Sequence, residues 1–493
     1  MNKMKLCDIL RGTDIIPPLH LDCNREVSIS EWNEDTDDNS LLIITKKAKG
    51  ERRENYYKAN AYAVICERDD GYGIEGSKIM YTENARRTLA ICYYNLYGID
   101  PTKTRFIAVT GTNGKTTVAS ILHYILRFSG ADVGFIGTGS ILINETEVSD
   151  RYYSMTTPDP KELYRQISDM QKLGCGYIVM EASSHAIALE KLYPLCFDVG
   201  IFTNLSAEHR DFHKDMQDYF DVKLSLFKSC KTGIFNLDCP YSRRAYELCE
   251  CERSSIGIIN PGDAYATDIQ INGLRGSSFF YREEGLIFGV DLSLVGAFNV
   301  YNSLLALRAA IALGIPPCYA KRAINCLSGI AGRMEALGTD VSVIIDYAHT
   351  PFAIENTLKT LYSIKRKRQN LILVIGCGGE REHKKRREIG RIAAKYCDSI
   401  YLTEDNSRGE KTESIIADIM DGISDPAAVT VITDRAAAIH KAISDAHSGD
   451  IVAILGKGRE SYIIDQNGYR DFSDRSEAQY ALRLRKAKNE NNT

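Results

Sequence analysis

The chain has 493 residues with 61 Lys and Arg against 65 Asp and Glu, giving a formal net charge of −4. So even a balance gives no electrostatic reason for nucleic acid or an anionic membrane as partner. The longest apolar runs, such as Leu371 to Ile375, fall far short of the roughly 18 residues that span a bilayer, and the opening M-N-K-M-K-L-C-D lacks an apolar signal core. A cytoplasmic monomer is expected. At about 150 residues per domain the length predicts about three domains. The 14 cysteines are scattered, with Cys249 and Cys251 the nearest pair and no C-x-x-C, so free thiols are expected rather than a disulfide framework or zinc knuckle.

Residues 1 to about 100 hold short apolar runs, Leu41 to Ile44 and Ala61 to Cys66, and end in a predicted helix, Thr82 to Leu96, ahead of Gly98 and Pro101. This pattern predicts a small α/β domain. Next comes F-I-A-V-T-G-T-N-G-K-T-T-V, Phe106 to Val118. Its apolar start, Phe106 to Val109, reads as a buried strand, followed by a glycine turn and a helix over Thr116 to Phe128. Gly111 and Gly114 let backbone N–H groups close on phosphate oxygens. Lys115 adds a positive charge, and Thr116 offers a hydroxyl to Mg²⁺ at a helix N-terminus. The common nucleotide-loop pattern wants a glycine where Val109 stands, so G-T-N-G-K-T-T is a shortened variant.

From Thr104 to about Ile330, strand-like runs (Phe106 to Val109, Tyr177 to Met180, Val199 to Phe202, Gly233 to Leu237) alternate with helical ones. That alternation predicts a parallel sheet with crossover helices and ligand groups at the carboxyl ends of strands. Glu181 follows Y-I-V-M at one such end, and Thr203 and Asn204 follow the next. A carboxylate near a phosphate cradle suits a metal held directly or through water; the plainer alternative is a residue that caps the next helix. Two histidines, His209 and His213, and several acids precede Lys223; by themselves they read as surface or core residues. From Gly332 a second alternation (Val341 to Ile345, Leu371 to Ile375, Ser399 to Leu402, Val429 to Ile432, Ile451 to Leu455) predicts another sheet of nucleotide-binding type.

Taken together and in this order, the motifs resemble those of the Mur ligases: G-T-N-G-K-T-T at 111, T-T-P at 156, M-E-A-S-S-H at 180, T-N-L-x-x-x-H-x-D-x-H with Y-x-x-x-K from 203, F-N-V-Y-N at 298, G-R-M-E at 332, D-Y-A-H-T-P at 346, G-C-G-G-E-R-E at 376, D-N-S-R at 405 and G-K-G-R-E at 456. The resemblance implies an α/β protein of three domains. These are a small N-terminal domain for a UDP-linked substrate (1–100), a central P-loop ATPase-type parallel sheet (101–330) and a C-terminal Rossmann-like domain for an amino acid (331–493). It implies that ATP phosphorylates a carboxylate of a UDP-N-acetylmuramoyl dipeptide and that an amine attacks the acyl phosphate, as in peptidoglycan synthesis.

Residue by residue, the resemblance assigns ATP to Gly111, Thr112, Asn113, Gly114, Lys115, Thr116 and Thr117, with Asn299 and Asn302 on the adenine side and Arg333 and Asp346 reaching back from the last domain. Mg²⁺ would rest on Thr116, Glu181, His209 and a carbamylated Lys223; carbamylation turns that cation into an anion and needs a neutral amine. Lys115, Lys223, Glu181, His209 and Arg333 carry the implied catalysis. Thr156, Thr157, Ser183 and Lys191 match contacts to the UDP-linked substrate. Asn24 stands where a serine is usual, within Cys23-Asn24-Arg25-Glu26-Val27. Arg381, Asp405, Asn406, Ser407, Arg408, Gly456 and Glu460 match the amino-acid pocket. Arg408 offers a fork for a distal carboxylate, which favours meso-diaminopimelate over lysine, while Ser407 replaces a proline and loosens that loop. The basic run His383 to Arg387 is expected to be a substrate-side loop. A related ligase acting on another carboxylate, such as a folylpolyglutamate-type enzyme, and a non-catalytic P-loop module are the alternatives.

Overall fold

The computed structural model describes residues 2–32, 35–45, 60–68, 78–150, 153, 155–206 and 212–491. Three large sheets follow one another along the chain. The first has the strand order Met4–Lys5, Glu26–Ser30, Ser40–Ile43, Ala63–Glu67, Ile79–Thr82, parallel except for its first pair. The helix predicted from Thr82 begins instead at Ala85, because Thr82 still pairs in the edge strand and Asn84 caps the helix, its side chain accepting from Arg87 N at 3.0 Å.

The second sheet has 11 strands. At its centre the strand Arg105–Thr110 lies between Tyr177–Glu181 and Phe197–Phe202, all parallel, with Val133–Gly137 beyond the first and Cys230–Asn236 and Glu252–Gly257 beyond the second. Antiparallel ribbons extend both ends, Ser140–Ile143 with Thr146–Glu147 on one side and Ser277–Glu283 with Leu286–Leu292 on the other. The expected sheet is thus present but mixed at its edges. Because the strand after Arg105–Thr110 in the chain skips over one position in the sheet, a crevice opens beyond the carboxyl ends at this point. The helix Lys115–Phe128 buries Val118, Ile121, Leu122, Ile125 and Leu126, a stripe at spacings of three and four, against the sheet and the helix Ala297–Ala312. Each such side chain contributes about 1.5–3 kcal/mol by leaving water, which anchors the helix whose N-terminus faces the crevice.

The third sheet runs Glu335–Leu337, Ser342–Asp346, Ile451–Leu455, Leu371–Ile375, Ser399–Leu402, Val429–Val431, parallel apart from the first strand. Apolar clusters cover both faces, one under the helices Pro351–Ile364, Lys384–Tyr396 and Thr412–Met420 and the other under Arg435–Asp445 and Asp474–Asn491. Burial on both faces is why these strands read as continuous apolar runs. One expectation is corrected here: most of the basic run His383 to Arg387 is the first turn of a helix, and Arg386 is fully buried on Glu410 and Asp418, each at 2.9 Å. Alone in a sequence, a buried arginine and an exposed one look the same.

Candidate functional site

At Gly111 the chain leaves the central strand with φ +138°, and a Cβ there would lie 1.9 Å from Thr203 Oγ1. Only glycine fits. Gly114, at φ +84°, starts the helix Lys115–Phe128 with no side-chain cap, so the N-terminal N–H groups and their dipole are presented to the crevice. The neighbouring strand end staples the loop in place. Asn113 N donates to Asn204 Oδ1 at 3.0 Å, Thr203 Oγ1 donates to Asn113 O at 2.7 Å, and Ser206 N donates to Thr112 Oγ1 at 3.0 Å. Asn299 donates to Val295 O at 2.8 Å and accepts from Asn302 at 2.9 Å, which sets Asn302 Oδ1 against Gly114. Thr117 is buried one residue past Thr116.

Two lysines meet on one backbone oxygen. Lys115 Nζ donates to Gly111 O at 3.0 Å and to Thr112 O at 2.8 Å, while Lys223 Nζ, from the helix Met216–Ser225, donates to the same Gly111 O at 2.9 Å. Lys223 is only 1% exposed, and the Tyr219 ring lies 4.7 Å from its Nζ. Two like charges held so close in a poorly solvated crevice favour an incoming anion, or a modification that reverses one of them.

Glu181 forms the facing wall. It is fully buried, and both its oxygens are held by Thr138, through N at 2.8 Å and Oγ1 at 3.1 Å. Thr156 Oγ1 meets Thr138 Oγ1 at 3.0 Å, Thr157 Oγ1 donates to Glu181 O at 2.8 Å, and Ser183 caps the helix Ser184–Ala188. T-T-P and M-E-A-S-S-H therefore make one surface. Lys191 pairs with Asp159 at 2.7 Å. His213 is buried between Ser184 Oγ (2.9 Å) and Asp218 (3.2 Å), bracing this wall against the Lys223 helix. His209 and residues 47–56 lie outside the described residues. Asn24 sits in an exposed turn at the rim of the first sheet, its backbone N on Asp22 at 3.0 Å, and joins none of these contacts.

The third sheet closes on the crevice. Arg333 Nη2 donates to Thr116 Oγ1 at 2.8 Å, and its guanidinium lies 4.5 Å from the Tyr347 ring centre. Asp346 turns its oxygens to Met334 N (2.8 Å) and Ala348 N (2.9 Å), so it shapes the arginine's loop. Burial pushes the Asp346 carboxyl up, and the nearby Arg333 charge and these bonds offset that only in part.

Deeper in the same lobe, Lys457 is fully buried and donates to Glu460 Oε2 at 2.9 Å, Asn406 Oδ1 at 3.2 Å and Asp405 Oδ1 at 3.5 Å. Burial alone would raise the Asp405 carboxyl, but the Lys457 and Arg435 charges and the Asn406 N–H together hold it below the usual range. Gly456, at φ +114°, brings the backbone over Asp405, where a Cβ would stand 2.9 Å from Oδ2. Ser407 is buried, and its carbonyl lies where a Cβ on Gly379 would be. Arg408 spends Nη1 on Gly379 O (3.0 Å) and Asn406 O (3.1 Å), leaving Nε and Nη2 without a partner among the described residues. Arg381 is exposed on the adjoining loop. Lys457, Tyr347 and His213 lie within the motifs above but were given no role there. Lys457 carried a signal, a lysine between two glycines directly after a fully apolar strand, whereas His213 and Tyr347 matter through partners distant in the chain.

Comparison with known proteins gives the chain's relatives. Residues 109–310 match the Mur ligase middle domain and residues 332–458 the Mur ligase glutamate ligase domain. A UDP-N-acetylmuramoyl-L-alanyl-D-glutamate--2,6-diaminopimelate ligase of Syntrophomonas wolfei is 37% identical, covering 86% of this chain and 87% of its own. The enzyme of that name from Clostridioides difficile is 36% identical, covering 97% and 99%. A solved structure of a UDP-N-acetylmuramoyl-L-alanyl-D-glutamate--2,6-diaminopimelate ligase superposes with a TM-score of 0.68 at 27% identity, covering 98% of this chain and 99% of the other. With matched domains over most of its length and a glycine loop, a strand-end glutamate and a buried lysine gathered in one crevice, the chain belongs to the Mur ligase family.

Proposed function

We propose that the protein is an ATP-dependent amide ligase that adds meso-diaminopimelate to the D-glutamyl carboxylate of UDP-N-acetylmuramoyl-L-Ala-D-Glu in peptidoglycan synthesis. The observation that carries this reading is the convergence of Lys115 and Lys223 on Gly111 O, with Arg333 reaching the adjacent Thr116 from the other lobe. Residues 1–100 would bind the UDP end, 101–330 the ATP and 331–493 the amino acid. The relatives with matching names are diaminopimelate ligases, and the Nε and Nη2 edge of Arg408 supports a second carboxylate on the incoming amino acid.

Among the described residues, those that would hold Mg²⁺ are Thr116, Glu181 and Lys223 as its carbamate. They fit the ion, since hydroxyl and carboxylate oxygens are hard donors of the kind it takes alongside substrate phosphates. Mg²⁺ bound there would supply positive charge to the transferring phosphoryl oxygens. The substrate carboxylate takes the γ-phosphoryl group, ADP departs, and the amine nitrogen displaces inorganic phosphate from the acyl phosphate, losing a proton. Lys115, the helix N-terminus and Arg333 are placed to hold the charge that develops on oxygen in both steps. Asp405 and Glu460 would accept from the amino acid's ammonium, with Lys457 offsetting part of their negative charge.

The test is phosphate release with the UDP-linked dipeptide, ATP and Mg²⁺, with diaminopimelate or lysine as amine. Release is expected with diaminopimelate and at least tenfold less with lysine. No release with either amine, beside an active control ligase, overturns the reading.

A further inference from the structure

Arg459 has no part in the function described so far, yet its contacts cross from one lobe to the other. It lies between Lys457 and Glu460 in the loop that lines the amino-acid pocket. Its guanidinium leaves that lobe, with Nη1 donating to Ser140 Oγ at 2.8 Å and Nη2 to Glu147 Oε2 at 3.3 Å. Ser140 is fully buried and pairs with Gly137 across a tight turn. Inside that turn is Thr138, whose N–H and hydroxyl hold both oxygens of Glu181. On its backbone side Arg459 packs against the arginine loop, since a Cβ on Gly332 would lie 2.3 Å from Arg459 N. One residue therefore touches the loops carrying Glu460 and Arg333 and the turn that orients Glu181.

We infer that Arg459 is a positioning residue that couples the amino-acid pocket to the Glu181 wall, seating the turn 137–140 when the C-terminal lobe is closed. This rests on the function proposed above. Of its two partners the half-exposed Glu147 contributes little, because water screens such a pair. The buried Ser140 hydroxyl, bonded to a charged donor at short range, carries the coupling. Arg333 secures the nucleotide side of the crevice through Thr116, and Arg459 secures the opposite side.

The experiment is a double-mutant cycle on the full chain with Arg459→Met, Ser140→Ala and the pair, read by kcat and KM for the amino acid, by the Kd for ADP without amino acid, and by the radius of gyration in solution with ADP bound. Each single variant is expected to lose about tenfold in kcat/KM and the pair no more than either one. The ADP Kd should stay within about twofold, both singles should expand alike, and Arg459→Lys should recover part of the loss. Losses that multiply in the pair, or wild-type kinetics and scattering in Arg459→Met, overturn the inference. Inactivity of the wild-type chain with every amine would instead overturn the proposed function, and the scattering arm would still decide the role of Arg459.

Discussion

The glycine loop at 111–117 and the pocket around Lys457 both sit at carboxyl ends of parallel strands, yet they are built from different materials. The loop is made of backbone: glycines at positive φ, an uncapped helix N-terminus, and two lysines resting on carbonyl oxygens. The pocket is made of side chains, with Lys457, Asp405, Asn406 and Glu460 satisfying one another and the fully buried Arg435–Asp474 pair close behind at 2.7 Å. A backbone site keeps its shape when it is empty and presents unmet dipoles to a ligand. A side-chain site must pair its charges before it can be buried, so they constrain one another first and the ligand second.

Substitutions can break this contrast, beginning with the largest expected effect. Lys223→Ala should lower turnover by about a thousandfold or more, with partial recovery on adding a small carboxylate such as acetate. Full activity of that variant would remove Lys223 from the mechanism. Lys457→Met removes the cation that buried Asp405 shares with the partly buried Glu460 and should cost about 3 kcal/mol of unfolding free energy by chemical denaturation, where a pocket held by backbone would lose far less. Gly111→Ala should weaken ADP binding about a hundredfold by calorimetry while leaving the third sheet's unfolding transition in place, since the added methyl collides with Thr203. Arg408→Lys keeps the charge but loses the fork, and its preference for diaminopimelate over lysine in kcat/KM should fall about tenfold.

The smallest effect separates two aspartates of the same lobe. Asp405 is held below its ordinary pKa of 3.8, so its contribution to stability is fully present above that value and is lost as pH falls through the lower folded value. Asp346 is pushed above 3.8, so it has the opposite sign: ionising it costs stability as pH rises from 3.8 through the raised value. Melting curves of Asp405→Asn and Asp346→Asn from about pH 3 to 6 should therefore diverge from wild type in opposite directions. Parallel curves would mean that neighbouring charge does not distinguish the two sites.

What could be read from the sequence was what local physics dictates. An apolar run emptying into G-T-N-G-K-T-T requires a strand, a positive-φ turn and a helix N-terminus, and Arg105–Thr110 followed by Lys115–Phe128 differs from expectation by a residue at each strand end and by one at the helix start. Glu181 at a strand end was legible for the same reason. Tertiary structure alone decided which of many similar residues are buried and with whom. Arg386 was expected in a substrate-side loop and is sealed between two carboxylates, whereas Lys457 and Arg459, two residues apart, point to different lobes. Burial turns a charge from a surface property into a fixed link, and the partners that permit it, 51 residues away for Asn406 and 319 for Ser140, lie beyond any local pattern.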